Sequence, residues 1–224
     1  MKKTIKSFKK KIKSILKLDV KEKRHELVGS SSNWKVKQRF QIDFLRKNGL
    51  NPGDLFLDIG CGTLRGGMPI IKFLNNAKYH GIDIRENVIL EAKNEIKEER
   101  LIKKEPTVLS FSDFDTLKFD KNFDKILAFS VLIHLEDAIL DKCLKFVSQH
   151  LSDDGVFFAN VNYGNNSDGK WLEFPVLFRS FDFYTEKAKK YSMTVEEVGQ
   201  LKDFGHITED KLSDEQMILA FKLR

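Results

Sequence analysis

The chain has 224 residues, of which 41% are hydrophobic, and this is typical of one globular domain of ordinary size. No apolar run approaches the roughly 18 residues that a membrane-spanning helix needs, which argues against an integral membrane protein. Two cysteines, Cys61 and Cys143, have neither metal-ligand spacing nor a disulfide framework. The sequence therefore predicts a protein of the reducing cytoplasm without a metal site.

The net charge of +6 is unevenly distributed along the chain. Residues 1–18 contain eight lysines and no acidic residue, which leaves 31 basic and 33 acidic side chains, a net charge of −2, in the remainder. Proteins that bind nucleic acid usually present a positive face to the phosphates. The composition of residues 19–224 therefore argues against an enzyme that acts on nucleic acid.

Residues 1–18 predict a basic amphipathic helix. Its hydrophobic residues follow one another at spacings of 4, 3, 4 and 3, with lysines on the other face: Met1, Ile5, Phe8, Ile12 and Ile15. Such a helix suits an anionic membrane surface or a partner protein, and the alternative is a solvated arm. Peripheral attachment to the inner face of the cytoplasmic membrane is therefore one hypothesis for this segment.

Residues 19–53 predict a linker followed by a helix. The linker is polar and runs to position 33, and the amphipathic helix extends from Trp34 to Lys47. Its apolar face carries Val36, Phe40 and Phe44. Gly49 then ends the helical pattern as a left-handed cap.

Residues 55–67 predict a buried strand and a glycine turn. The apolar run from Leu55 to Ile59 contains Asp58 near its end, and three small residues follow: Gly60, Cys61 and Gly62. Only a nearly side-chain-free backbone turns sharply there and leaves room for a ligand. With the helix predicted to follow, this order is typical of the nucleoside-binding edge of a doubly wound sheet.

A second strand, predicted over residues 79–84, ends in Asp83 and Ile84. A carboxylate at this position accepts hydrogen bonds from both ribose hydroxyls of a nucleoside. The turn lacks the third glycine of a dinucleotide fingerprint, because Arg65 stands in its place. Asp58 disfavours a pyrophosphate near the turn but suits a ligand with an ammonium group. These residues favour S-adenosylmethionine over a nicotinamide dinucleotide.

The motifs L-D-I-G-C-G-T and G-I-D-I, at residues 57–63 and 81–84, resemble the first two motifs of class I S-adenosylmethionine-dependent methyltransferases. The stretch D-I-G-C-G-T-L-R-G-G, with the later F-G-H, is similar to bacterial methyltransferases found among surface-polysaccharide genes. The resemblance implies a single α/β domain over residues 54–224. This domain is a doubly wound, Rossmann-like, seven-stranded and mostly parallel sheet with a terminal antiparallel strand, preceded by N-terminal helices.

The resemblance also implies the reaction. S-adenosyl-L-methionine would be the methyl donor and S-adenosyl-L-homocysteine the product. The acceptor would be a hydroxyl of a sugar or of a small glycan precursor in bacterial cell-surface polysaccharide or capsule synthesis. Methylation of another small molecule or of an amine remains an alternative.

The resemblance further assigns cofactor-binding residues. Trp34 and Gln41 would face the cofactor mouth, although Trp34 suits the core equally well. Arg65 would pair with the cofactor carboxylate or, alternatively, with a structural acid. After the third strand, predicted over residues 107–112, Asp113 would bind the adenine amino group. The full predicted cofactor set is Gln41, Asp58, Gly60, Cys61, Gly62, Arg65, Asp83, Ile84, Ser112, Asp113, Phe114, Phe129 and Ser130.

Two histidines are candidate catalytic residues. His134 follows the fourth strand, predicted over residues 123–130, whose end the resemblance places under the sulfonium and the acceptor. An imidazole can take the proton of an attacking hydroxyl near neutral pH. The alternative is that His134 caps the next helix, residues 136–151, or orients a backbone group. His206, in the segment D-F-G-H, is a second candidate base or an acceptor contact, and otherwise a solvated loop histidine.

Residues 162–180 predict a long loop after the fifth strand, residues 156–161. It leaves the sheet edge at which ligands bind and is longer than a crossover needs. Asn162, Tyr163 and Trp171 suit a sugar, because amides bind hydroxyls and an aromatic ring covers the apolar ring face. We therefore predict these residues as the acceptor site, with a disordered surface loop as the alternative.

A helix over residues 181–191, a parallel strand over 195–199 and an antiparallel strand over 216–223 complete the prediction. A methyltransferase acting on nucleic acid is expected to carry a Pro-Pro-aromatic or Pro-Cys motif after the fourth strand, and residues 128–131 have neither. A nicotinamide-dependent oxidoreductase and a cofactor-binding protein without catalysis remain as alternatives. The oligomeric state is not predicted.

Overall fold

The structure, a computed structural model, describes residues 22–29, 31–164 and 166–224. The helix predicted over residues 1–18 lies outside these residues and stays a prediction. Within the described ranges, no helix is long and apolar enough to cross a membrane.

The predicted helices and strands are present, although the fifth strand begins at residue 151 and not at 156. The structure adds two short strands within the loop predicted over residues 162–180 and a short helix at residues 211–214. In chain order they are α1 (Trp34–Lys47), β1 (Phe56–Ile59), α2 (Gly67–Phe73), β2 (Tyr79–Asp83), α3 (Glu86–Glu98), β3 (Thr107–Ser110), β4 (Phe123–Ala128), α4 (Asp137–His150), β5 (Leu151–Val161), β6 (Gly169–Trp171), β7 (Phe174–Val176), α5 (Phe181–Lys189), β8 (Met193–Gln200), α6 (Lys211–Asp214) and β9 (Met217–Leu223).

Seven strands form one sheet in the order β3-β2-β1-β4-β5-β9-β8. Strands β1 to β5 pair in parallel, whereas β9 runs antiparallel to both of its neighbours, β5 and β8. The predicted seven-stranded, mostly parallel sheet with one antiparallel strand is therefore confirmed. The antiparallel strand is the last in the chain, and it lies inside the sheet.

Helices cover both faces of the sheet, so β1 and β2 are buried along their whole length. Phe56 of β1 packs with α1, α2 and α3 on one face, and Leu57 packs with α4 and α5 on the other. Cys143 of α4 is fully buried in the second layer, and burial raises the pKa of its thiol to about 12. This cysteine therefore serves packing, as the apolar pattern of α4 predicts.

The parallel topology brings the carboxyl ends of β1 to β5 to one edge of the sheet. The loop predicted over residues 162–180 leaves this edge and contains the two-stranded hairpin β6–β7. Residues 22–29, which we call the strap, pack onto the same edge. This differs from the predicted linker, because positions 22–26 are helical and Arg24 and His25 are buried.

Candidate active site

The glycine turn that follows β1 adopts the left-handed conformation that the sequence predicts. Gly60 and Gly62 have φ values of 72° and 56°. A Cβ on Gly60 would lie 2.3 Å from a methyl carbon of Val131, and a Cβ on Gly62 would lie 2.7 Å from a methyl carbon of Val28. The turn is therefore a cradle that accepts no side chain at these two positions.

Asp83, at the tip of β2, holds this turn. One carboxylate oxygen accepts a hydrogen bond from the backbone N–H of Gly62 at 3.1 Å. The other accepts the backbone N–H of Arg85 at 2.9 Å and its Nε at 3.3 Å. An ionised carboxylate has about four acceptor positions, so Asp83 retains capacity for a ribose hydroxyl.

Asp58 lies beneath the turn and is 4% exposed. It accepts a hydrogen bond from the Tyr79 hydroxyl at 2.7 Å. Burial raises the pKa of Asp58 to about 7, and the Tyr79 hydrogen bond opposes this rise. The pairing of Asp58 with an ammonium group remains a prediction. It requires an ionised carboxylate, and Asp58 is mostly ionised above neutral pH.

Arg65 points from the turn towards the strap and α1. Its Nη1 donates to the carbonyl oxygen of Val28 at 3.1 Å, and the guanidinium lies 5.9 Å from the ring of Trp34. Burial lowers the pKa of Arg65 to about 10. Within the described part of the chain no carboxylate forms an ion pair with Arg65, and its buried Nε has no hydrogen-bond partner.

Gln41 reaches the same place from α1. A Cβ added to Gly66 would lie 1.9 Å from the side-chain oxygen of Gln41, so α1 and the start of α2 are in direct contact there. Gln41 is buried and donates to the carbonyl oxygen of Lys37 at 3.2 Å. Its role in cofactor binding stays a prediction.

The strap crosses the glycine turn and is fixed at both ends. Arg24 is buried and forms ion pairs with three glutamates of α3, at 2.6 Å to Glu91 and 3.1 Å to both Glu95 and Glu98. His25 stacks on Trp34 with ring centroids 3.4 Å apart. The ion pairs of Arg24 were not predicted from the sequence, because its glutamate partners lie at least 67 residues away.

A cavity of about 460 Å³ lies beside the tips of β2 and β3. Ile84 and Ser112, both predicted to bind the cofactor, are among its lining residues. Asp113 instead pairs with Lys142 and accepts the backbone N–H of Asp115 at 3.0 Å. These contacts lower the pKa of Asp113, and its predicted role in adenine binding stays a prediction.

Phe114, the residue after Asp113, is 6% exposed and packs in the apolar layer with Phe111 and Phe146. Phe129 lies at the tip of β4, where its ring contacts Phe40 and His206. Ser130 has a φ of 57°, and its backbone N–H donates to Asn160 at 2.7 Å. Their predicted cofactor contacts are not tested by these observations.

His134 and Trp171 lie together, as the predicted acceptor site requires. Nδ1 of His134 donates to the carbonyl oxygen of Pro175 at 2.6 Å, which leaves a lone pair on Nε2. The imidazole lies 5.8 Å from the ring of Trp171, which is 37% exposed. Of the two alternative roles, the helix cap is wrong because Glu136 occupies the N-cap position of α4, whereas the orientation of a backbone group agrees with the hydrogen bond to Pro175. Burial lowers the pKa of His134, although the Pro175 hydrogen bond opposes this.

Asn162 does not line an acceptor site, and this prediction is wrong. It is 2% exposed, donates to the carbonyl oxygen of Leu177 at 3.2 Å and accepts from Gln216 at 2.9 Å. Gln216 also accepts from Asn160 at 2.5 Å. Both the nitrogen and the oxygen of the Asn162 side-chain amide therefore belong to this buried network. Tyr163 is half-buried against the apolar layer, and burial raises the pKa of its phenol.

His206 is fully buried, so the alternative of a solvated loop histidine is wrong. Its Nδ1 donates to Asp214 at 2.8 Å, and Asp214 also accepts the backbone N–H and the hydroxyl of Thr208 at 2.9 and 2.7 Å. Nε2 of His206 therefore carries a lone pair, and it meets no partner among the residues described. The rings of Phe40 and Phe129 lie 5.2 and 5.8 Å away.

Comparison with known proteins identifies the domain. Residues 57–157 match a family model described as a methyltransferase domain. A solved S-adenosylmethionine-dependent methyltransferase of Clostridium acetobutylicum has the same fold, with a TM-score of 0.64 at 19% identity over 85% of this chain and 92% of that one. The chain therefore has the fold of an S-adenosylmethionine-dependent methyltransferase, and residues 57–157 match the model of a methyltransferase domain.

Two curated relatives are similar to part of the chain. An uncharacterized protein of Methanocaldococcus jannaschii is 33% identical over 150 residues, which are 66% of this chain and 52% of the relative. Phosphoethanolamine N-methyltransferase of Plasmodium falciparum is 28% identical over 173 residues, which are 74% of this chain and 59% of that enzyme. The chain therefore spans between half and three-fifths of the length of these relatives.

The family model covers only part of the candidate site. The matched residues contain the glycine turn, Asp83 and His134. The strap, Trp171 and the His206–Asp214 pair lie outside them. The roles of these outer parts therefore rest on their geometry alone. No group of three histidine, cysteine or acidic residues in the described ranges is placed to hold a metal ion.

Proposed function

We propose that this chain transfers a methyl group from S-adenosylmethionine to a hydroxyl of a sugar or small glycan precursor, and that it serves cell-surface polysaccharide synthesis. The observation that carries the proposal is the His206–Asp214 pair, which presents an unpartnered lone pair beside Phe129 at the tip of β4. The resemblance of the glycine turn and of F-G-H to surface-polysaccharide methyltransferases supports this acceptor class.

The residues at the sheet edge fit the methyl donor. The glycine turn brings bare backbone to the sheet edge, Asp83 has acceptor capacity for ribose, and the cavity lined by Ile84 and Ser112 lies beside it. The unpartnered Nε of Arg65 suits a carboxylate. Val28 contacts the cradle at Gly62, so the strap must shift or share this space.

When bound, S-adenosylmethionine supplies a methyl group on a positively charged sulfur, which is already a good leaving group. The protein therefore has two tasks, which are to position the acceptor and to remove its proton. Nε2 of His206 is suited to accept the proton from the acceptor hydroxyl. Asp214 fixes the tautomer through Nδ1 and stabilises the imidazolium that forms.

His134 is the second candidate base, since its Nδ1 is also occupied and its Nε2 is free to accept a proton. We assign it with Trp171 to the outer wall of the acceptor site, because the exposed indole offers an apolar face to a sugar ring. Burial lowers the pKa of both histidines, which keeps both neutral at physiological pH.

A mass-spectrometric screen tests the proposal. The full chain is incubated with S-adenosylmethionine and a panel of nucleotide-activated and free sugars, and methylated products are detected. His206→Ala is expected to lower turnover about 100-fold or more, in the range typical of a lost general base, while S-adenosylhomocysteine affinity changes little. Equal losses of turnover and affinity would make His206 a structural residue, and a fully active variant would transfer the role to His134.

An amine acceptor is the second candidate. The Plasmodium relative is named for N-methylation of phosphoethanolamine, and this supports including phosphoethanolamine in the same screen. An amine that is neutral at assay pH needs less assistance from a base than a hydroxyl. Methylation of the amine alone, with His206→Ala fully active, would favour this candidate.

Residues 1–18 are proposed to attach the protein to an anionic membrane surface or to a partner. Their eight lysines and apolar face support this role. Deletion of residues 1–18 is expected to preserve activity on a soluble acceptor and to abolish sedimentation with phosphatidylserine vesicles. Unchanged sedimentation would remove the membrane hypothesis.

A further inference from the structure

Three basic side chains surround one region next to the glycine turn. Arg65 belongs to the turn, Lys37 to α1 and His206 to the loop between β8 and β9. Helix α1 contacts both other elements, because Gln38 donates to the carbonyl oxygen of Arg65 at 3.0 Å and the ring of Phe40 lies 5.2 Å from His206.

Helical spacing places Lys37 between these contacts. Residues three or four apart share one face of a helix, so Lys37 shares its face with Trp34 on one side and with Phe40 on the other. Trp34 contacts the guanidinium of Arg65, and Phe40 contacts His206. The position of Lys37 on α1 therefore lies between the residues that contact Arg65 and His206.

The charges of this cluster act on one another. Burial and, to a smaller extent, Arg65 lower the pKa of Lys37 to about 8, whereas Asp210 and Asp214 oppose the shift. Burial also lowers the pKa of His206, and Lys37 and Arg65 add to this effect. The two cations thus influence the imidazole that is proposed as the base.

Polar atoms of these three side chains lack hydrogen-bond partners among the residues described. The side chain of Lys37 forms no hydrogen bond or ion pair with any residue in the described ranges. The buried Nε of Arg65 and Nε2 of His206 likewise have no partner there. Partly buried cations are costly unless an anion pairs with them, so this arrangement is suited to a ligand.

We propose that Lys37, beside Arg65, binds an anionic group, a phosphate or a carboxylate, of the methyl acceptor. The hydroxyl to be methylated then faces the lone pair of His206. The inference rests on the proposed function and narrows the acceptor to acidic hydroxy compounds such as sugar phosphates or uronic acids. One guanidinium satisfies the single carboxylate of the methyl donor, so Lys37 provides the second positive charge for another ligand.

Inorganic phosphate is the first probe, because it needs no knowledge of the acceptor. Phosphate and, in parallel, glucuronate are titrated into the full chain by calorimetry at constant ionic strength. Lys37→Gln removes the charge and keeps most of the side chain, and Lys35→Gln, an exposed position on α1, is the matched control. We expect Lys37→Gln to weaken binding tenfold or more and Lys35→Gln to leave it unchanged, since a charge-assisted hydrogen bond contributes about 1.5–3 kcal/mol.

Competition separates the acceptor from the methyl donor. The titrations are repeated with saturating S-adenosylhomocysteine, and the melting temperature of each variant reports folding. Retained phosphate or glucuronate binding supports an acceptor site. Displacement of both by S-adenosylhomocysteine would assign the cluster to the carboxylate of the donor and overturn the inference, as would absent binding or equal losses in the two lysine variants.

The kinetic arm uses an acceptor found in the screen. Lys37→Gln is expected to raise KM for an acidic acceptor at least tenfold and to change kcat less. A failure of all acceptors to be methylated would reject the proposed function, while the two titrations would still decide whether the anion site exists.

Discussion

Gly62→Ala tests whether the glycine turn is the cradle of the site. The φ of 56° at this position costs a non-glycine residue about 1–2 kcal/mol. The added Cβ would also lie 2.7 Å from a methyl carbon of Val28, and relieving such overpacking costs about 1–3 kcal/mol. We therefore expect the free energy of unfolding to fall by about 2–5 kcal/mol in urea titrations followed by circular dichroism.

The double variant Gly62→Ala, Val28→Ala separates the two contributions. Removing the Val28 methyl groups is expected to recover the packing cost and to leave the backbone cost in place. Calorimetry with S-adenosylhomocysteine should show at least tenfold weaker binding by both variants, because the Cβ remains in the cradle. Gly53→Ala is the matched control, since a Cβ there meets no atom within 4 Å. Unchanged stability and affinity in Gly62→Ala would refute the reasoning.

Three further predictions concern Asp83 at the tip of β2, Arg24 in the strap and His80 within β2. Asp83→Ala removes the hydrogen-bond acceptor of two backbone N–H groups and of the ribose. The affinity for S-adenosylhomocysteine should therefore fall about 100-fold or more in Asp83→Ala and less in Asp83→Asn. Unchanged affinity would falsify the ribose assignment. Arg24→Ala should increase hydrogen exchange across residues 22–29, and equal exchange in both proteins would contradict the ion-pair anchor. Burial lowers the pKa of His80 from 6.5 to about 4, so the folded state binds fewer protons and stability should decline as the pH falls from 6.5 to 4. The free energy of unfolding of the wild type, measured relative to that of His80→Gln, should fall by about 3 kcal/mol across this interval. Parallel pH profiles of the two proteins would contradict this prediction.

The sheet and its helices were predictable because their signals are local. Helix α1 begins and ends where the apolar spacing and Gly49 indicate. The glycine turn and Asp83 were also predictable, since a turn without side chains and an acid at the next strand tip lie close together in the sequence. The structure agrees at each of these positions.

The covering and supporting parts of the site were not predictable. Arg24 is polar and its segment has the composition of a linker, and its burial depends on glutamates of α3 that only the folded chain brings near. Asn162 has the chemistry of a sugar ligand, but its partner Gln216 lies 54 residues away and uses that chemistry for packing. Asp214 is one of many acids, and only the fold shows that it orients His206.

Strand β9 also determines when the site can be completed during synthesis. Strand β8 pairs only with β9 in the described sheet, and β9 is made more than a dozen residues after β8. The nascent β8 therefore has no strand to pair with until Met217–Leu223 leaves the ribosome and inserts beside β5. The loop that holds His206 is not fixed between two paired strands before that point. The proposed proton acceptor is thus assembled last, by the strand that closes the sheet, and β9 substitutions that slow this insertion should delay the appearance of activity more than the appearance of helical structure.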